Sequence, residues 1–389
     1  MKVLRFAIMI SIAILLIVLI PTFQGLAQAN SFTLGRFLLG GGGASSGESF
    51  SLSGSMLQAY SNLPLSGGNF DISGNLQQPA DYQVVYVNSA WEVNQPGTDL
   101  GANLRFLSNA FADLQLGHDH VAQNGLLKVY SGTYNAFHLD RPITVDIQAN
   151  ASINGNLQLS AGLLNAPSGN LQLTGGFIQD GGNFVSRNGK IRFSGSGEKN
   201  FTLTSRTQFS ELIIDSDVTL IETFPANNAL INGSLMSQGT IRKTLPISGG
   251  GVYSFGLTGA TISFAQAGTL TQLQIDKISQ VHSKMAYLPG GRRALPIYYK
   301  ITPINGTGEA QICLSYTVVE LALISPSREE SFQLCEWEGS AWNCHPRSQH
   351  SDLVNRTVCA DRASTSSDWI IAANEINIKN LYYLPNVNR

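Results

Sequence analysis

Short apolar strands separated by turn residues fill the middle of the chain. GNLQLSAGLLNA from Gly155 is followed by GNLQLTGGFIQD from Gly169, an offset of 14, and by GKIRFSG from Gly189, 20 further on. FTLT (Phe201), FSELIID (Phe209), VTLIET (Val218), ALINGSL (Ala229) and GTIRKTL (Gly239) continue the theme. Apolar and polar residues alternate with the period of two of a strand buried on one face. Gly, Asn and Ser supply turns, where backbone with φ > 0 is needed. At roughly 20–25 residues per coil, the stretch from Asp81 to Pro246 predicts about seven coils of a parallel solenoid with Leu, Ile and Phe stacked inward. Stacked antiparallel hairpins are the competing reading, which the absence of regular two-residue hairpin turns disfavours.

The period changes once. Phe111, Leu114, His118 and Val121 fall on one face of a 3.6-residue repeat. This predicts a helix from Ala110 to about residue 123, N-capped by Ser108 or Asn109 and ended by Asn124-Gly125. Strands LLKVY (Leu126 to Tyr130) and ITVDIQA (Ile143 to Ala149) follow. A helix placed before stacked strands can cover the open end of a solenoid.

On either side the pattern differs. SFSLSGS at Ser49 and NFDISGN at Asn69 match at an offset of 20, each preceded by glycines. They predict a Gly-rich β-hairpin module over 30–78, with Gln77-Gln78-Pro79 as its exit. The run Gly40 to Gly43 lacks the G-K-[ST] of a phosphate loop. From Ser248, SFGLTGATISFAQ, PIYYKITPI, AQICLSYTV, SFQLCEWEG, SAWNCHP and DWIIAAN read as strands of a β-sandwich. The division is 79–246 for the β-helix, 247–375 for the sandwich and 376–389 for a tail.

The run from Tyr86 to Ile153 resembles the start of right-handed parallel β-helix domains of the pectin-lyase-like fold in secreted bacterial surface proteins. The matching pieces are Tyr86-Val87, Trp91, Pro96-Gly97-Thr98-Asp99, Asn109-Ala110-Phe111-Ala112, Leu114-Gln115, Val129-Tyr130 and Gly132-Thr133-Tyr134. Residues 30–78 resemble Gly-rich hairpin repeats of such proteins, and the segment from Lys190 to Thr240 resembles their coil repeat. Tyr298 to Pro303, Leu334 to Cys344 and Ser367-Asp368-Trp369 resemble a C-terminal module of the same proteins, and NLYYLPNVNR resembles their short tail. The resemblance implies an all-β fold: a right-handed parallel β-helix with a short N-terminal capping helix, then a disulfide-stapled β-sandwich. It says little about function, because one fold hosts many activities.

Composition narrows the setting. Charged residues make up 13%, about half the usual ~25%, and Gly is abundant, the profile of a turn-rich extracellular protein. A net charge of −2 with no basic stripe argues against a nucleic-acid partner. Residues 1–29 read as a secretory signal: Lys2 and Arg5, the apolar run Phe6 to Ile20, and Ala27-Gln28-Ala29 as a cleavage site. An uncleaved anchor is the alternative, but the run is short for a span of ~20 residues. No later segment could span a bilayer as a helix. Four cysteines between 313 and 359 suit an oxidising compartment. A two-residue turn at Gly339-Ser340 sets Trp337 opposite Trp342 and Cys335 opposite Cys344, where a cross-strand disulfide is feasible. That leaves Cys313 with Cys359.

Many right-handed β-helices cleave polysaccharides, which takes paired carboxylates or a base with calcium. Asp215 and Asp217 are the closest acidic pair in the coils, and a turn is expected there. The N-T-D, G-H-G and R-x-K patterns of polygalacturonases are missing, as are the W-x-D-H and R-x-P-x-x-R patterns of pectate lyases. In His118-Asp119-His120, positions 118 and 120 point about 200° apart on a helix, so they form no chelate, and His118 joins the packed face. His345 and His350 lie near the hairpin without a carboxylate cluster, and no G-x-S-x-G is present. The expectation is a secreted, non-catalytic surface protein, structural or adhesive, without a cofactor. The alternative is a β-helix that binds or degrades extracellular polysaccharide, with Trp91, Tyr130, Tyr134, Asp215 and Asp217 as contacts and calcium as its only candidate ion. Cell-envelope components are the other expected partners.

Overall fold

Leu157 and Leu159 point into the molecule from one strand, and the chain returns beside them with Phe177 and Gln179. That return is the solenoid. The computed structural model describes residues 81–289, 292–322 and 329–373, and the backbone of 42–47, 50–55, 66–67 and 70–71. The proposed signal (1–29) and the tail (376–389) lie outside the described residues. The chain divides into two units, Met1–Pro79 and Ala80–Arg389. In the first, Gly42–Gly47 pairs antiparallel with Phe50–Ser55, and Ser66–Gly67 with Phe70–Asp71.

In the second unit a parallel β-solenoid makes about eight turns, one more than the repeats suggest. Three rows of strands wind around it. The first two share the bent strands Gly132–Leu139 and Ala151–Leu159. Residues 151–153 pair with 171–173, and residues 157–159 pair with 177–179. The bend falls at Gly155, whose φ of 126° suits glycine. The third row runs through Tyr82–Val87, Val121–Val129, Thr144–Ile147, Leu163–Asn165 and Asn183–Val185. Successive turns step by about 20 residues: the Asn150 and Asn156 side chains accept the backbone N–H groups of Asn170 and Gly176, each 20 residues on. The echo between Gly155 and Gly169 is therefore not the coil repeat. Leu157 and Leu171 lie on different rows of one winding.

The interior is filled by rings. Phe177, Phe184, Phe193, Phe201, Phe209 and Phe224 are buried, with centroids 5.0–5.9 Å apart and mostly edge-to-face, the arrangement aromatic quadrupoles favour.

The helix is shorter and later than its periodicity suggests, Leu114–Asp119. Asp113 is its N-cap, accepting the Leu116 N–H at 2.8 Å. Asn109 is occupied in the preceding turn, where its side chain accepts the Arg105 N–H. Ala110–Phe111 is a strand beside Tyr86–Val87, and Val121 opens the next strand. Phe111 and Val121 face inward from strands, so the helical spacing that joined them is a coincidence of two elements. The helix covers the first bent strand: Gln115 Oε1 accepts the His138 N–H, and Arg141 donates to the His118 and Asp119 carbonyls. One N–H of the strand edge and two carbonyls of the helix end gain partners in this way.

At the other end the solenoid runs into the sandwich without a break. Thr240–Pro246 pairs parallel with Val218–Glu222 on one side and antiparallel with Gln272–Ile278 on the other. The sheet continues through Arg293–Asn305, Ser367–Ala373, Gln333–Trp337 and Trp342–Cys344. A second sheet of Gly251–Ser254, Ala260–Phe264, Glu309–Ser315 and Thr357–Ser364 opposes it. Ile262, Ile275, Tyr299, Ile312 and Trp369 belong to the buried core of this module. Two disulfides staple it: Cys335–Cys344 across the hairpin and Cys313–Cys359 between neighbouring strands of the second sheet.

Candidate functional site

The first turns carry an aromatic cluster on their outer surface. Asn88 caps a single 3-10 turn, Ser89–Val93, which holds Trp91 half-buried. The Trp91 ring stands edge-on to Tyr130 at 6.1 Å, and Tyr130 lies nearly parallel to Tyr86 at 6.5 Å. Both tyrosines are half-buried. The Lys128 ammonium sits 5.5 Å from the centre of the Tyr86 ring. Tyr86, Lys128 and Asp146 are register partners on three successive strands, and Asp146 is paired with Arg187. Tyr86 and Lys128 were not among the contacts the sequence suggested. Their signal was the alternation that turns Val85 and Val87 inward and hence Tyr86 outward.

Tyr134 is not part of that surface. It is 3% exposed, and its hydroxyl donates to the Tyr130 carbonyl at 2.9 Å. Burial pushes its phenol up to about 12, against a smaller lowering by the Ser89 backbone. The hydroxyl ties the Tyr130 backbone in place, and the ring belongs to the solenoid core, out of reach of a surface ligand.

Asp215 and Asp217 occupy a turn but do not act as a pair. Arg192 Nε donates to both Asp215 oxygens, at 2.9 and 3.1 Å. Asp217 is exposed, and its carbonyl accepts the Gly197 N–H. Asp215 is thus bound to a neighbouring rung and not aimed at a space shared with Asp217.

His118 and His120 are both buried. His118 Nδ1 meets Asp119 at 2.8 Å and Nε2 lies 3.4 Å from Asp140, while His120 Nδ1 meets the Leu116 carbonyl. Among the described residues no group of three or more His, Cys, Asp or Glu is placed to hold a metal ion.

The sandwich brings together a serine, a histidine and an aspartate that the sequence does not connect. A shallow pocket of about 430 Å³ is lined by His345, Pro346, Arg347, Ser348, Gln349 and Asp361. Beside it His350 Nδ1 lies 3.1 Å from Ser348 Oγ and 3.9 Å from Asp361, and Gln311 Nε2 donates to it at 2.8 Å. A relay needs the serine and the carboxylate on opposite ring nitrogens. Here all three partners crowd one nitrogen, so the histidine passes no proton between them. The Gln311 amide, with Ser348, holds the Asp361 carboxyl below its ordinary value. Nearby, burial pushes the Glu336 carboxyl up, opposed by its hydrogen bond to His345.

Among the described residues no helix is long and apolar enough to cross a membrane. No protein-family model, no curated protein and no solved structure matches the chain.

Proposed function

We propose that the chain is a secreted, non-catalytic cell-surface protein, structural or adhesive, built on a β-helix of the pectin-lyase-like type found in bacterial surface proteins. The observation that carries this reading is the way charge is used along the outer rows. Lys190 pairs with Glu211, Arg192 with Asp215, Arg187 with Asp146, and Arg242 with Glu198 and Asp276. These groups link one rung to another, the work of a scaffold. The two disulfides suit an oxidising compartment outside the cytosol.

A second reading, carbohydrate binding, is favoured by Tyr86, Trp91 and Tyr130. Half-exposed rings beside a cation offer an apolar platform for the C–H face of a sugar and a polar rim for its hydroxyls.

A glycan-array and polysaccharide-cleavage screen of the purified protein, with and without calcium, separates the readings. Silence in both assays is expected for a structural role. Binding that Trp91→Ala or Tyr130→Ala weakens at least tenfold, while Tyr134→Phe does not, would establish the platform and an adhesive role. Release of new reducing or unsaturated ends would overturn the non-catalytic reading.

A further inference from the structure

One outer row of the solenoid changes character toward its end. Gln172, Arg192, Ile213 and Met236 are register partners on successive strands. Arg192 is paired with Asp215, whereas the last two rungs present half-buried apolar side chains. The inward row of the same strands runs Ile191, Leu212, Leu235. The first two are fully buried, and Leu235 packs on the core while remaining partly exposed. The strand Leu235–Ser237 has one neighbour, Glu211–Ile214, and no strand among the described residues covers its other edge. From Thr223 to Ile241 the sequence holds no Lys, Arg, Asp or Glu. Edges that must stay alone usually carry such charges.

We infer that this edge pairs with the same edge of a second copy of the chain. A two-fold axis brings identical strands together antiparallel, an isologous contact. In a three-residue strand the axis passes beside the central residue, so Met236 faces its counterpart in the second copy. Self-pairing demands an uncharged edge, because a charge near the axis meets its like. It also suits the apolar turn of the outer row, since Ile213 and Met236 then form the centre of the contact. The open backbone groups of Leu235–Ser237 gain partners in the process. The inference concerns assembly and does not depend on what the surface binds.

The test is the molar mass of the purified protein by light scattering on a sizing column, from low to high micromolar concentration. The wild type is expected at twice the chain mass, falling toward one chain on dilution. Met236→Lys is expected at one chain with an unchanged circular dichroism spectrum. Met236→Cys is expected to form a covalent dimer under mild oxidation, since the native cysteines are already paired. Val185→Lys, an exposed change on another row, should leave the dimer intact. A wild type that stays at one chain throughout overturns the inference. So does a dimer that survives Met236→Lys, or one that Met236→Cys does not lock.

Discussion

Glu222 and Lys243 stand opposite each other on neighbouring parallel strands, buried, with the Lys243 ammonium donating to Glu222 Oε1. Each also serves the backbone: Glu222 Oε2 accepts the Leu257 N–H, and Lys243 donates to the Phe224 carbonyl. Burial pushes the Glu222 carboxyl above its ordinary value, while the Lys243 ammonium pulls the other way. The pair sits where the last coil meets the sandwich, and its satisfied partners make burial of two charges tolerable.

Lys243→Met leaves Glu222 buried without its partner and is expected to cost about 3–5 kcal/mol in denaturant unfolding. Removing both charges with Glu222→Leu in the same chain should restore much of that. A double variant as unstable as the single one would show that the carboxylate was not the source of the loss.

Tyr134 gives the protein an alkaline limit. Its folded value, about 12, lies above the ordinary 10.0, so the folded state keeps a proton that the unfolded state releases. The stabilisation is complete below the ordinary tyrosine value and is lost as pH rises through about 12. Tyrosinate absorbance should show this phenol ionising well after the exposed tyrosines or only on unfolding, and Tyr134→Phe should remove that step. A Tyr134 ionising with the exposed tyrosines in the folded protein would contradict the burial argument.

The two disulfides should differ in worth. Cys313–Cys359 closes 46 residues and Cys335–Cys344 closes 9. In the chain-entropy account these stabilise by about 4 and about 2.5 kcal/mol. Paired Cys→Ala changes, compared by chemical unfolding, should rank them in that order. The reverse ranking would mean that local packing around Trp337 and Trp342 outweighs loop closure.

Gly117 reverses a common rule. In a helix Gly→Ala usually stabilises by up to about 1 kcal/mol. A Cβ at Gly117, however, would stand 2.4 Å from Val87 Cγ2 and 3.3 Å from Leu127 Cδ1. Gly117→Ala is therefore expected to lower stability by about 1–3 kcal/mol, read from thermal or denaturant unfolding. A gain would show that the helix lifts away from the strands at little cost.

The fold was legible wherever alternation was strong. Leu171, Leu173, Ile191 and Phe193 all lie inward as their spacing required, and the hairpin arithmetic that set Cys335 against Cys344 matches the register. The helix was misplaced because an inward row can pass from strand to helix to strand and mimic one period. The Glu222–Lys243 pair forms no motif along the chain and so drew no notice in the sequence. The alternation of Val218, Leu220 and Glu222, and of Ile241 and Lys243, had already assigned both to the inside. Ser348, His350 and Asp361 meet only through tertiary packing, which no spacing along the chain encodes.

Thr240–Pro246 belongs to both modules at once, closing the solenoid on one side and opening the sandwich on the other. A joint made of shared hydrogen-bonded rungs has no swivel. A load applied to the sandwich is delivered straight into the last coil, through backbone bonds, the Arg242 bridge to Glu198 and Asp276, and the locked Glu222 and Lys243. Within the second unit, solenoid and sandwich therefore share one continuous sheet across the joint.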